Sequence, residues 1–112
     1  MTELCALEEI HPDRGKEAFV PGPGGGRWVA LFRRGDRVVA YLNVCPHQGR
    51  AMNLAPDRFA FDGAGRLLCP HHGACFDLDT GACLSGPAGN GALTPVAVRV
   101  EDGRVHLEDG PP

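Results

Sequence analysis

Apolar residues in this chain come in short runs broken by polar and glycine-bearing turns. Val29-Ala30-Leu31-Phe32 and Val38-Val39-Ala40-Tyr41-Leu42 flank Arg33-Arg34-Gly35-Asp36-Arg37, which predicts a β-hairpin. Farther on, Val96, Val98 and Val100 alternate toward Asp102-Gly103, and Val105 and Leu107 alternate away from it. An Asp-Gly pair between alternating strands predicts a second hairpin over 96–107. A weaker one pairs Phe59–Phe61 with Leu67–Leu68 across Asp62-Gly63-Ala64-Gly65, and a fourth turns at Asp79-Thr80-Gly81. No window of eleven residues free of Gly and Pro holds a 3.6-residue period, so helix is expected only as a turn near Arg50–Leu54. Pro21-Gly22-Pro23-Gly24-Gly25-Gly26 has the composition of a linker, but with only twenty residues before it a surface loop is expected. The pattern predicts an all-β chain of antiparallel sheets.

At 112 residues and 11.9 kDa, the chain is expected to form one domain over 1–112. A core of that size is marginal and gains from an internal metal or crosslink. With net charge -3 and Lys16 the sole lysine, there is no basic stripe for a phosphate backbone, so nucleic acid is not an expected partner. No apolar stretch reaches membrane-spanning length, and the acidic start, with Glu3, Glu8 and Glu9, does not read as a signal peptide. A cytoplasmic setting without membrane attachment is therefore expected. Cysteines there bind metal more often than they form disulfides.

Two of the five cysteines sit in matched segments, Cys45-Pro46-His47-Gln48-Gly49 and Cys69-Pro70-His71-His72-Gly73, each following an apolar strand. Thiolate and imidazole select zinc, copper or iron–sulfur centres, and two of each complete a tetrahedral set for one metal or serve two bridged irons. Read on residue type alone, a structural Cys2His2 zinc module stays open beside an iron–sulfur centre. His71 and His72 are alternatives for the second imidazole.

Cys45-x-His47, twenty-one intervening residues, Cys69-x-x-His72, and then Gly73-Ala74-Cys75-Phe76-Asp77 with Thr80-Gly81 closely resemble the Rieske 2Fe-2S family from about Trp28 to Leu107. The resemblance implies a fold of antiparallel sheets with a cluster-binding subdomain of two hairpin loops near 45–83. It implies one 2Fe-2S cluster per chain, with Cys45 and Cys69 on one iron and His47 and His72 on the other, which selects His72 over His71. Ser85-Gly86-Pro87-Ala88 is similar to the family's third, cluster-covering loop.

Respiratory quinol-oxidising members of the family carry an inter-loop disulfide where this chain has Arg50 and His71. They also carry a serine and a tyrosine, whose hydroxyls stabilise the reduced cluster, where this chain has Ala74 and Phe76. With both hydroxyl donors missing and no membrane anchor expected, the chain resembles the low-potential branch, near the lower end of a range of roughly -150 to +300 mV. The resemblance thus implies a Rieske-type ferredoxin, a soluble one-electron carrier between a flavoprotein reductase and an oxygenase, and not an enzyme in itself. The alternative within the family is the Rieske-like small subunit of a nitrite reductase. Independent catalysis finds little support, since Ser85 is the sole serine and neither a phosphate-binding Gly-rich loop ending in Lys nor an HExxH motif occurs. Cys5, Cys75 and Cys83 are expected to be buried or half-buried thiols, and His11 and His106 surface residues.

Overall fold

A computed structural model describes residues 2–44, 51–70, 73–85 and 92–108. Ten strands follow in chain order: β1 (Thr2–Ala6), β2 (Lys16–Val20), β3 (Arg27–Arg34), β4 (Arg37–Leu42), β5 (Ala60–Phe61), β6 (Leu67–Leu68), β7 (Cys75–Phe76), β8 (Cys83–Ser85), β9 (Val98–Glu101) and β10 (Arg104–Leu107). They form three antiparallel sheets of order β1-β10-β9, β2-β3-β4 and β5-β6-β7-β8. The only helix among the described residues is a 3-10 turn at Leu7–Glu9 and another at Pro23–Gly25.

The middle sheet organises the other two. Side chains alternate along a strand, and in β3 and β4 both sets are covered. Val29, Leu31 and Ala40 join Cys5, Ile10, Ala18, Val20, Val105 and Leu107 in one core. Ala30, Phe32 and Tyr41 join Phe59, Leu67, Cys69, Phe76 and Leu78 in the other. This two-sided burial explains why Val29–Phe32 is apolar at every residue rather than at every second one. On the second face Phe32 takes Phe59 and Phe61 edge-on, with ring centroids 5.0 and 5.9 Å away, fixing the β5–β6 hairpin against β3.

All four predicted hairpin turns are present. Asp102 and Gly103 have φ of 53° and 73°, as the type I′ turn between β9 and β10 requires. That hairpin begins at Val98 rather than Val96, because the Val96 N–H donates to Ala40 O at 2.9 Å and so extends the edge of β4. The Pro21–Gly26 stretch is the loop between β2 and β3. The expected helical turn near Arg50–Leu54 is a correction: Arg50 lies outside the described residues, and Ala51–Leu54 is not helical. The amides there are satisfied otherwise, with the Met52 N–H donating to Asn43 Oδ1 at 2.8 Å and the Leu54 N–H to Arg58 O at 2.7 Å. His106 is a second correction, since it is half-buried, with Nδ1 enclosed and unpartnered in the strand between β1 and β9. His11 is exposed, as expected.

Cys5 sits in the first core at 6% exposure. Burial, then the nearby Glu9 carboxylate, pushes its thiol up from 9.0 to about 11. From about pH 9 to about 11 the unfolded chain has released a proton that the folded chain still holds. Stability from this thiol is therefore complete below pH 9 and is lost as pH rises to 11. Denaturant unfolding across that range is expected to show a decline on the order of 1–2 kcal/mol in the wild type that is absent from Cys5→Ala. Equal slopes for the two proteins would remove this role for Cys5.

Candidate metal centre

Two strand ends on the second core lead into the cysteine–histidine segments. β4 ends at Leu42, whose N–H donates to Thr94 O at 2.9 Å; Asn43 follows, its N–H donating to Trp28 O at 3.0 Å. Val44 then precedes Cys45. β6 ends at Leu68, and Cys69 begins a closed turn: its N–H donates to Ala74 O at 2.8 Å, and the Gly73 N–H returns to Cys69 O at 2.9 Å. Gly73 has φ +74° with open space where a Cβ would stand, so the backbone conformation rather than crowding calls for glycine.

Of the four candidate ligands the described residues include Cys69, which is 2% exposed among Tyr41, Met52, Leu67, Ala74 and Phe76. Cys45, His47 and His72 lie outside them, as do His71, Arg50 and 86–88 of the third loop. Accordingly, no group of three His, Cys, Asp or Glu side chains gathers among the described residues. What is described fits a soft metal: a buried thiol, on a residue whose backbone N–H and C=O are both hydrogen-bonded, opens the segment from Pro70 to Gly73. Ala74 and Phe76, where hydroxyl donors would have stood, are fully buried at 0% exposure.

The other thiols are placed differently. Cys75 is buried beside Asp62, its Sγ donating to Oδ2 at 3.6 Å. Burial, then that hydrogen bond to the carboxylate, raises its titration and keeps it a protonated thiol. The Arg66 N–H, with the Ala64 N–H and the Arg66 guanidinium, holds the Asp62 carboxyl below the usual range, so Asp62 is an anion already engaged. Cys83 is half-buried, and no disulfide forms among the described cysteines.

The turn after the second segment is tied to the middle sheet. Tyr41 Oη donates to Leu78 O at 2.6 Å within the core. Gly81, with φ +78°, lies so close beneath that a Cβ would stand 2.8 Å from Tyr41 Cε1. Asp79 on the same turn meets Arg34 at 3.5 Å and Arg37 at 3.8 Å from the β3–β4 turn. Sequence reasoning missed Tyr41 and also Asn43, the one buried polar side chain among the described residues. The available signal was a lone Asn at the end of an apolar strand, two residues before the first cysteine.

The family model for the Rieske [2Fe-2S] domain matches residues 2–103. The chain belongs to this Rieske family. Its fold matches a chain of the complex of reduced oxygenase and oxidized ferredoxin in carbazole 1,9a-dioxygenase, with TM-score 0.74 and 25% identity, covering 98% of this chain and 94% of that one. A Mycobacterium tuberculosis protein assigned as an NADH-dependent nitrite reductase small subunit aligns with TM-score 0.69 and 32% identity, over 95% and 91% of the two chains. The oxygenase component of dicamba O-demethylase from Stenotrophomonas maltophilia is 43% identical over 65 residues, 57% of this chain and 17% of the relative. The chain spans about a sixth of the length of the curated relatives it matches. The chemistry of this Rieske family is one-electron transfer through a [2Fe-2S] cluster. No helix among the described residues is long and apolar enough to cross a membrane.

The Tyr41 bond makes the joint between the Rieske turn and the middle sheet testable. Tyr41→Phe leaves the buried Leu78 carbonyl without its donor and is expected to cost about 1–2 kcal/mol in denaturant unfolding. Gly81→Ala is expected to cost at least as much through its positive φ and the clash with the Tyr41 ring. Unchanged stability in both variants would show that this joint contributes nothing.

Proposed function

We propose that the chain is a one-electron carrier in which Cys45 and Cys69 hold one iron of a [2Fe-2S] cluster and His47 and His72 the other. The observation that carries this reading is the closed turn at Cys69, a buried thiol opening a segment that carries His71 and His72, on the same core from which β4 leads to Cys45. When bound, such a cluster supplies a single reversible electron. The surrounding residues set the conditions for that electron. Met52, Leu67 and Phe76 exclude water from the Cys69 side, and Ala74 and Phe76 offer no hydroxyl to favour the reduced state.

For partners, the reading is transfer from a flavoprotein reductase to an oxygenase. It is supported by the likeness to the oxygenase–ferredoxin complex and by the 43% identity to an oxygenase component. The 32% identity to the nitrite reductase small subunit favours a second reading, in which the electron passes to a large catalytic subunit of that kind. A cytoplasmic setting fits buried thiols such as Cys5 and Cys75 that are not joined in disulfides.

An anaerobic redox titration of purified protein is expected to give a midpoint near the lower end of the Rieske range, around -150 mV. A hydroxyl donor that favours the reduced cluster by about 1 kcal/mol raises a one-electron potential by about 40 mV, so Ala74→Ser and Phe76→Tyr are each expected to shift the midpoint upward by that order. A wild-type midpoint well above zero would contradict the low-potential reading. Reduction of an added oxygenase, against reduction of a nitrite reductase large subunit, separates the two partner readings.

A further inference from the structure

The chain leaves β4 at Asn43, returns to the core at Met52, and one side chain bonds to both sides of the gap. Asn43 is 4% exposed. Its Oδ1 accepts the Met52 N–H at 2.8 Å, and its Nδ2 donates to Asn53 Oδ1 at 3.0 Å and to Glu17 Oε2 at 3.5 Å. Only an oxygen can accept the Met52 N–H, so the amide orientation is fixed by its own network. Asn53 is held in turn, its Nδ2 donating to Ala55 O at 3.1 Å. The Asn43 backbone N–H is anchored on Trp28 O of β3 at 3.0 Å. Met52 is itself fully buried, so without Asn43 its amide has no water to turn to and the neck of the loop has lost its closure.

We infer that Asn43 is a positioning residue for the metal centre. By joining the two ends of the segment that carries Cys45 and His47, it fixes the spacing of the neck and so holds those ligands against opening. This rests on the assignment of Cys45 and His47 as ligands. Leucine at 43 would fill much of the same volume with no donor or acceptor. Aspartate would keep an acceptor for the Met52 N–H, and the Asn53 amide can turn to donate to it, but its carboxylate would also face Glu17 Oε2, so it restores only part of the closure.

The test compares wild type, Asn43→Leu, Asn43→Asp and Asn53→Ala as anaerobically purified, cluster-bearing proteins. The readouts are the rate at which an iron chelator bleaches the visible absorption under native conditions and the paramagnetic spectrum of the reduced state. Asn43→Leu is expected to bleach about ten-fold faster or more, Asn53→Ala by a smaller factor, and Asn43→Asp at a rate between those of wild type and Asn43→Leu. The spectrum of Asn43→Leu is expected to broaden, a change that a loss of global stability alone would not produce. Wild-type bleaching and an unchanged spectrum in a cluster-bearing Asn43→Leu protein would overturn the inference while leaving the ligand assignment standing. If Asn43→Leu fails to fold, Asn53→Ala decides, because it deletes the bond accepted from Asn43 and the one donated to Ala55 O at a half-buried residue: faster bleaching supports the role and wild-type bleaching overturns it. A wild-type protein that takes up no [2Fe-2S] cluster would overturn both the ligand assignment and the positioning role.

Discussion

The β3–β4 hairpin is buried on both faces, and the rest of the molecule is arranged by that constraint. Alternation sends Val29, Leu31 and Ala40 to one side and Ala30, Phe32 and Tyr41 to the other, so each side requires its own cover. β1, β9 and β10 supply one cover and β5 to β8 the other. A single hairpin thus belongs to two cores at once. The strand end that leads into the first cysteine–histidine segment is an end of this hairpin, which is packed on both faces. Packing of that kind suits electron transfer, where a centre whose surroundings change little between its two oxidation states exchanges electrons with little reorganisation.

Backbone placement, not burial, sorts the thiols. Cys5 and Cys75 are both enclosed, and in each case burial disfavours the thiolate that a metal requires, with carboxylates nearby adding to the penalty. Cys69 is equally enclosed but opens a turn whose backbone is closed by two hydrogen bonds, which places it beside the segment carrying the histidines. The difference among these cysteines lies in the backbone each occupies. Burial gives Asn43 its weight, since a polar group kept in the core is retained at a cost unless every bond it can make is used.

The sequence was most informative where pattern and chemistry agreed. The apolar runs around Arg33–Arg37 and the Asp102-Gly103 turn located two hairpins, and the matched cysteine–histidine segments identified the family. β1 and β2 were not legible for identifiable reasons. β1 carries a register shift between Glu3 and Cys5 that breaks the alternation. In β2, Ala18 and Val20 point inward while Phe19 points outward onto Trp28, 5.3 Å between ring centroids, so three successive apolar residues show no period of two. The helical turn expected at Arg50–Leu54 fails among its described residues because the amide of Met52 is taken by a side chain nine positions earlier, a contact that no local window contains. For the same reason Asn43 did not announce itself.

The central claim is a mixed cysteine and histidine ligand set holding two irons, and pulsed paramagnetic resonance of the chemically reduced protein, with iron and sulfide counted on the same sample, tests it most directly. The account predicts two irons and two sulfides per chain, with nitrogen couplings from two histidines, one of which is lost in His47→Ala or His72→Ala while both are retained in His71→Ala. One zinc per chain without iron, or a two-iron signal without nitrogen coupling, would contradict it.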